Sequence, residues 1–508
     1  MVEIAHAGAA DRPALGTNAG NGWLFALFVV TALALWIGSS AYTNTALFPD
    51  VTEQFIWSKS LEWGYYKHPP LTTWLFAGAT AVFGLNTWVP GVLSGACLAV
   101  TGLLTWLIAA RVLGRRAAFY CLLLWSLQQQ FSLRAYMYNH NVPLLMCVAL
   151  SVWALLEACA RPERTRGWVL VGVAVGLAMM SKYQAAIPLT GALWALWRTG
   201  QLARPEVRRG LLWALGAAFI VCLPHLVWLQ TSHGLPFQYA SKHLEHHDLP
   251  ARLSNASKFA VLQLRTVWVA ILCGLLWAAV AWRSRSPVAH DVSDRPGMDA
   301  RARRAWIQGL VLLPLAAVLC TAVIGGAHLQ GQWGVQTLQF ASLALVAWFT
   351  ARWRFPSLGT ALGIAFALHV LGVALVTVEG VKQSKGTALT GHVIQFGQGQ
   401  VIADSISRDW HRVTGCPLRY VVGDAHLAGL VSAYSPEHPS ALEDGEFWKN
   451  PWITPEKLSA AGSVIIATRA DLLPANAIHT PEMVLPAVVW RREMALVWGI
   501  VPPTEACR

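Results

Sequence analysis

Long apolar runs broken by short polar intervals dominate this chain of 508 residues. An α-helix rises 1.5 Å per residue, so about 20 apolar residues carry it across a hydrocarbon core of roughly 30 Å. The runs predict membrane helices near 22–39, 88–110, 117–131, 141–160, 167–181, 184–197, 211–230, 259–282, 306–325, 334–350 and 359–378. That is about eleven. The segments 167–181 and 184–197 are short for full spans and are expected to form a hairpin that crosses only in part.

After Glu379 the pattern changes. LRYVVG (418–423) and SVIIAT (463–468) read as short buried strands, and DAHLAGLVSAY (424–434) as the start of a helix. The expected fold class is a polytopic α-helical membrane protein with a small C-terminal α/β domain. Its divisions are an N-terminal tail over 1–21, a transmembrane domain over 22–378 with a long loop at 40–87, and the α/β domain over 379–508. No repeat of fixed period is visible.

Composition agrees: 55% of residues are hydrophobic and 13% charged, against about 25% charged in soluble chains. The net charge of +12 comes largely from arginine clusters between apolar runs, such as Arg111, Arg115 and Arg116, or Arg198, Arg204, Arg208 and Arg209. Short basic loops mark the cytoplasmic side. The excess is therefore a topology signal, which places the N-terminus inside and the α/β domain outside. No basic-aromatic nucleic-acid motif stands in a soluble segment. The first twenty residues are polar and small, and the run at 22–39 lacks a cleavage pattern, so it is read as a retained first helix.

Seven of the nine cysteines fall in apolar helices, where a small hydrophobe suffices. Cys416 and Cys507 share the exported tail, where an oxidising compartment favours a disulfide between them.

The chemistry concentrates in the loop 44–71, NTALFPDVTEQFIWSKSLEWGYYKHPPL. Its plain reading is an interfacial segment with Trp57, Trp63, Tyr65 and Tyr66 at the headgroups. A fuller reading sees a carboxylate beyond a helix end, an amphipathic aromatic stretch, and a basic pair stiffened by Pro69 and Pro70. Lys67 and His68 are then held at the depth of a lipid phosphate, and Asp50 can take a proton from an incoming hydroxyl.

Asp50 followed by WSKSLEWGYYKHPPL (57–71) resembles the first outer loop of GT-C glycosyltransferases that use polyprenyl-phosphate sugars. These are bacterial relatives of the dolichyl-phosphate-mannose protein mannosyltransferases and the lipid A aminoarabinose transferase. The likeness continues in YNHNVPLL (138–145), GLAMMSKYQAAIPL (176–189), LPHLVWL (223–229), QWGVQTL (332–338) and RYVVGDAHLAGLVSAYSP (419–436). It implies an inverting transfer of a sugar from a polyprenyl-phosphate donor to an extracytoplasmic lipid, glycan or protein. It also implies Asp50 as base, and a donor phosphate held by His68, a position often Lys in the family, with help from Lys67.

The sequence departs from the family at two places. Val51 follows Asp50, so the nearest second carboxylate is Glu53, and Asn141 replaces an aspartate. A two-carboxylate metal site is not expected, nor any other cofactor.

Arg134, Lys182 and Arg265 are further candidates for the donor phosphate, with polar turns or snorkelling as the plain alternatives. Tyr65, Tyr66, Tyr138, Asn139, Asn141, Tyr183, His328, Gln332 and Trp333 are candidates for substrate contact. The loop 233–250 carries His233, His243, Glu245, His246, His247 and Asp248. It lacks the HExxH order of a zinc site and is read as a substrate-covering loop. A transporter or flippase for such a lipid is the alternative. It requires access from both sides, whereas polar chemistry gathers on one.

Overall fold

A computed structural model describes residues 19–44, 46–241, 248–283, 298–326, 329–384, 399–480, 483–485 and 494–506. Seven helices among these residues are long and apolar enough to cross a membrane: Trp23–Thr43, Val89–Leu113, Asn141–Ala160, Pro205–Thr231, Leu249–Arg283, Ala300–Gly325 and Leu358–Lys382.

The expectation of about eleven full spans is corrected by length. The run at 117–131 forms a helix only over Arg115–Ser126, 167–181 becomes Thr165–Ser181, 184–197 becomes Ala186–Arg198, and 334–350 becomes Ala341–Thr350. Helices of 10 to 17 residues extend about 15–26 Å, less than the hydrocarbon thickness. Conversely, Leu71–Phe83 is an apolar helix inside what reads as the loop 40–87.

In chain order, α1 (Ala19–Thr43) leads to α2 (Pro49–Trp57), α3 (Leu71–Phe83), α4 (Val89–Leu113), α5 (Arg115–Ser126) and α6 (Asn141–Ala160). Then come α7 (Thr165–Ser181), α8 (Ala186–Arg198), α9 (Pro205–Thr231), α10 (Leu235–Ser241) and α11 (Leu249–Arg283). Arg265 therefore lies well inside a helix that starts ten residues before the expected span at 259. Inside the bundle, Trp36 of α1 donates to His369 Nδ1 at 3.0 Å, and His369 Nε2 lies 3.0 Å from Ser126 Oγ. Polar groups at membrane depth need such partners, and these bonds tie α1, α5 and the helix Leu358–Ser384 together.

The C-terminal domain has the expected α/β character. Strands β1 (Tyr420–Gly423), β2 (Ser440–Glu443), β3 (Ser463–Ala467), β4 (Ile478–His479), β5 (Met483–Leu485) and β6 (Met494–Val501) form one sheet in the order β2-β1-β3-β6-β4, with β5 also on β6. β1 pairs in parallel with β2 and β3, and β6 runs antiparallel to β3. Asp424 caps the helix Ala425–Tyr434 by accepting from the His426 and Leu427 amides. Cys416 is disulfide-bonded, and its expected partner Cys507 lies outside the described residues.

The domain rests on α2 and the turn after it. Ile56, Trp57, Tyr65 and Tyr66 share one apolar cluster with Ile406, Trp410, Val421, Leu427 and Val431. Gly429 makes this docking close: a Cβ there would stand 2.7 Å from Thr52 Cβ. Any larger residue would lift the helix Ala425–Tyr434 off α2.

Candidate active site

Local sequence shapes the loop first. Pro49 occupies the first turn of α2, where its missing N–H costs nothing, and Asp50 sits in the same turn near the positive end of the helix. Beyond α2 the chain closes a tight turn in which Tyr65 N donates to His68 O at 2.9 Å and His68 N to Tyr65 O at 3.1 Å. Gly64 is required beside it, because a Cβ there would meet the Trp228 ring of α9 at 2.4 Å. Pro69 and Pro70 follow and start α3.

Asp50 Oδ2 accepts a 3.1 Å hydrogen bond from Asn139 Nδ2. Asn139 Oδ1 in turn accepts from the Asn141 amide at 3.0 Å, and Asn141 Oδ1 accepts from Lys182 Nζ at 3.0 Å. Arg134 and Lys182 both act on Asp50 electrostatically. Five predicted residues from three separate stretches thus meet at one carboxylate. Asn141 holds the lysine in place.

Glu53 sits one turn further along α2 and forms an ion pair with Lys67. Burial pushes the Glu53 carboxyl up to about 7; Lys67 opposes this, while Asp50 and Glu443 add to it. For Lys67, burial works against the charge, but Glu53 and Glu443 more than offset it and hold the ammonium above its ordinary value. Lys67 is therefore already engaged by a carboxylate. His68 is not: its ring lies over the His140 ring, with centroids 3.9 Å apart and a 32° tilt.

The other candidates separate into two groups. Tyr65 is 2% exposed and stacks on Trp57, its hydroxyl donating to Ser60 O at 2.8 Å. Tyr66 is 4% exposed and donates to Glu443 Oε2 at 2.8 Å, and Tyr138 is wholly buried with its hydroxyl on Thr72 O at 2.8 Å. These three shape the scaffold and present no open face to a substrate. Tyr183 pairs with His225 Nε2 at 2.8 Å, and His225 Nδ1 lies 2.6 Å from Trp63 O, which moors the loop to α9.

Arg134 and Arg265 line the same 470 Å³ cavity, whose apolar walls include Trp36, Trp268, Leu368 and Leu375. Gln332 and Trp333 lie in the short turn Gly331–Gly334, whose Gly331 borders that cavity. His328 lies outside the described residues, as do His243, Glu245, His246 and His247, while His233 and Asp248 are exposed at the edges of that loop. Among the described residues no group of three His, Cys, Asp or Glu is arranged to hold a metal ion.

The family model of dolichyl-phosphate-mannose-protein mannosyltransferase matches residues 67–228, which begins at Lys67 and takes in Arg134 to Lys182. Lipid A galacturonosyltransferase RgtD of Rhizobium johnstonii is 26% identical over 50% of this chain and 53% of its own length. Lipopolysaccharide core galacturonosyltransferase RgtA of the same organism is 24% identical over 83% of this chain and 81% of its own. The chain thus spans about half of the first relative and four-fifths of the second. The crystal structure of ArnT from Cupriavidus metallidurans bound to undecaprenyl phosphate superposes with a TM-score of 0.54, covering 94% of this chain and 98% of that one at 16% identity. The chain thus has the fold of ArnT, and its residues 67–228 match the mannosyltransferase family model.

Two site residues carried no signal strong enough to select them from sequence. His140 stands in YNHN among other polar residues, and only the fold places it on His68. Glu443 lies in SALEDG at the end of a strand, an ordinary turn by pattern, some 390 positions from the loop it meets. It is fully buried and accepts from Trp57 Nε1 at 2.7 Å, Tyr66 hydroxyl at 2.8 Å and Asn450 Nδ2 at 3.1 Å.

Proposed function

We propose that this protein transfers a sugar, with inversion, from a polyprenyl phosphate to a lipopolysaccharide component on the extracytoplasmic face of a bacterial inner membrane. The observation that carries this reading is the placement of Asp50. One carboxylate, held by Asn139, stands among Lys182 and Arg134, and Arg134 also borders an apolar cavity with Arg265. That is the layout a membrane-bound donor needs: a groove for an isoprenoid chain, cations for its phosphate, and a base beside the anomeric carbon.

In this reading Lys182, Arg134 and Arg265 offset the phosphate charge, and His68 contacts it. Asp50 removes the acceptor's hydroxyl proton as the anomeric carbon leaves the phosphate oxygen. Asn139 keeps the carboxylate aimed. Glu53 and Lys67 hold α2 against the turn that carries His68. Gln332, Trp333 and His328 remain candidates for sugar hydroxyls. The two rhizobial relatives are galacturonosyltransferases by name, and a uronic acid is the sugar we assign here, since its carboxylate suits a site with several cations.

The short helices α5, α7, α8 and Ala341–Thr350 complete an eleven-segment bundle with partial crossings, and the C-terminal domain lies outside. A reporter fused after Ser357 stays cytoplasmic and one fused after Lys385 is exported; both on one side would remove this topology. The activity is tested by mass spectrometry of envelope lipids and lipopolysaccharide with and without the gene. Loss of a hexuronic acid from lipid A or the core supports the reading. Loss of another sugar corrects the donor, and an unchanged envelope counts against transfer.

A further inference from the structure

The His68–His140 pair is more than two basic residues near a phosphate. Their ring centroids are 3.9 Å apart, and the Trp57 ring stands edgewise to His68 at 6.3 Å and tilted to His140 at 5.6 Å. His140 is 3% exposed, and its Nε2 has no hydrogen-bond partner among the described residues. Buried polar atoms are nearly always paired, so an orphaned one needs an explanation. A ring nitrogen beside Lys182 and Lys67 is suited to an anion.

We infer that His68 and His140 act as one phosphate-binding unit that takes up a single proton when the phosphate of the donor or product enters. This rests on the polyprenyl-phosphate reading above. Two positive rings at this separation repel strongly, so the pair accepts one proton and titrates as a unit. Burial and the neighbouring positive charges keep both rings well below histidine's ordinary value before an anion arrives; for His68 these are His140, Lys182 and Lys67. The carboxylates facing the cluster are spoken for: Asp50 by Asn139, Glu53 by Lys67, and Glu443 by Trp57, Tyr66 and Asn450. A phosphate supplies the negative charge that makes one imidazolium stable.

The charge accounting then fits the reaction. The phosphodiester donor carries one negative charge. When the anomeric C–O bond breaks, its electron pair stays on the phosphate oxygen, and the leaving polyprenyl phosphate carries two. The acceptor oxygen bonds to the anomeric carbon and gives its proton to Asp50. The imidazolium keeps its proton and faces the charge that develops on the leaving group.

Calorimetric titration of the purified full chain with undecaprenyl phosphate at pH 7, in two buffers of different ionisation enthalpy, counts the protons taken up. A phosphate monoester with a second pKa near 6 is about nine-tenths dianionic there, so the ligand releases about a tenth of a proton at most. The expected result is an uptake approaching one proton per ligand. It persists in Glu53→Gln and vanishes in the double variant His68→Lys, His140→Gln, which still binds because the new lysine carries a permanent charge. His140→Gln alone weakens binding roughly ten-fold, the loss of one hydrogen bond to the phosphate.

Binding with no proton uptake in the native chain overturns the proposal and leaves the donor reading standing. So does uptake that disappears in Glu53→Gln or survives in the double variant. No binding of undecaprenyl phosphate at all removes the donor reading itself.

Discussion

Trp57 Nε1 donates a 2.7 Å hydrogen bond to Glu443 Oε1 across 386 positions of sequence. Through it the C-terminal domain holds the loop that carries the site, because the same tryptophan stacks on Tyr65 and stands against His68 and His140. Removing the carboxylate leaves the buried donors of Trp57, Tyr66 and Asn450 unpaired, at about 1–3 kcal/mol each. Glu443→Ala is therefore expected to lower the unfolding temperature and expose the segment 58–62 to protease. Glu443→Gln, which keeps one acceptor, costs less. An unchanged melting curve for the alanine variant removes the pin.

Asp50→Asn keeps the shape of the side chain and removes its basicity. Transfer should fall by about 10²–10⁴-fold, the range for loss of a general base, with donor binding retained. Asn139→Ala frees the carboxylate to rotate, and a smaller loss of roughly ten- to a hundred-fold is expected from misaimed chemistry. Single-turnover assays with pre-bound donor separate these effects from affinity. Near-normal turnover in Asp50→Asn ends its assignment as base.

Lys67 and His68 are adjacent in sequence but have different tasks. Lys67 is committed to Glu53, so Lys67→Ala should mainly lower stability by leaving a buried carboxylate unpaired. His68→Ala should mainly weaken undecaprenyl phosphate binding, on the order of ten-fold. Thermal melts and binding isotherms on both variants decide it. Equal loss of affinity in the two at unchanged stability returns Lys67 to the phosphate.

Glu53 makes stability depend on pH. Its carboxyl is raised from 4.5 to about 7 in the fold, so between those values the native state holds more protons than the unfolded chain. Stability from this group is full below about 4.5 and is lost as pH rises through about 7. The depressed values of His68 and His140 act in the opposite sense, so the difference between the native chain and Glu53→Gln isolates the carboxyl. That difference should change over pH 4.5–7 and level off above. A flat difference across the window means the proton is not on Glu53.

Much of the layout could be read from local pattern because membranes and helices impose local rules. Apolar run length located the seven helices long and apolar enough to span, and the strands at 420–423 and 463–467 followed from short apolar runs. Asp50, Asn139, Asn141 and Lys182 were also legible, since ionisable and amide groups are rare in so apolar a chain. The partial spans were not, because hydropathy cannot tell a buried helix of 12 residues from part of a crossing one. Nor were the partners. That Lys67 faces Glu53, that Tyr65 and Tyr66 lie under a domain, and that His140 covers His68 all depend on side chains from distant segments converging. Such contacts leave no periodicity in the sequence: Glu443 is one acid among many until the sheet carries it to Trp57, where burial makes its hydrogen bonds obligatory.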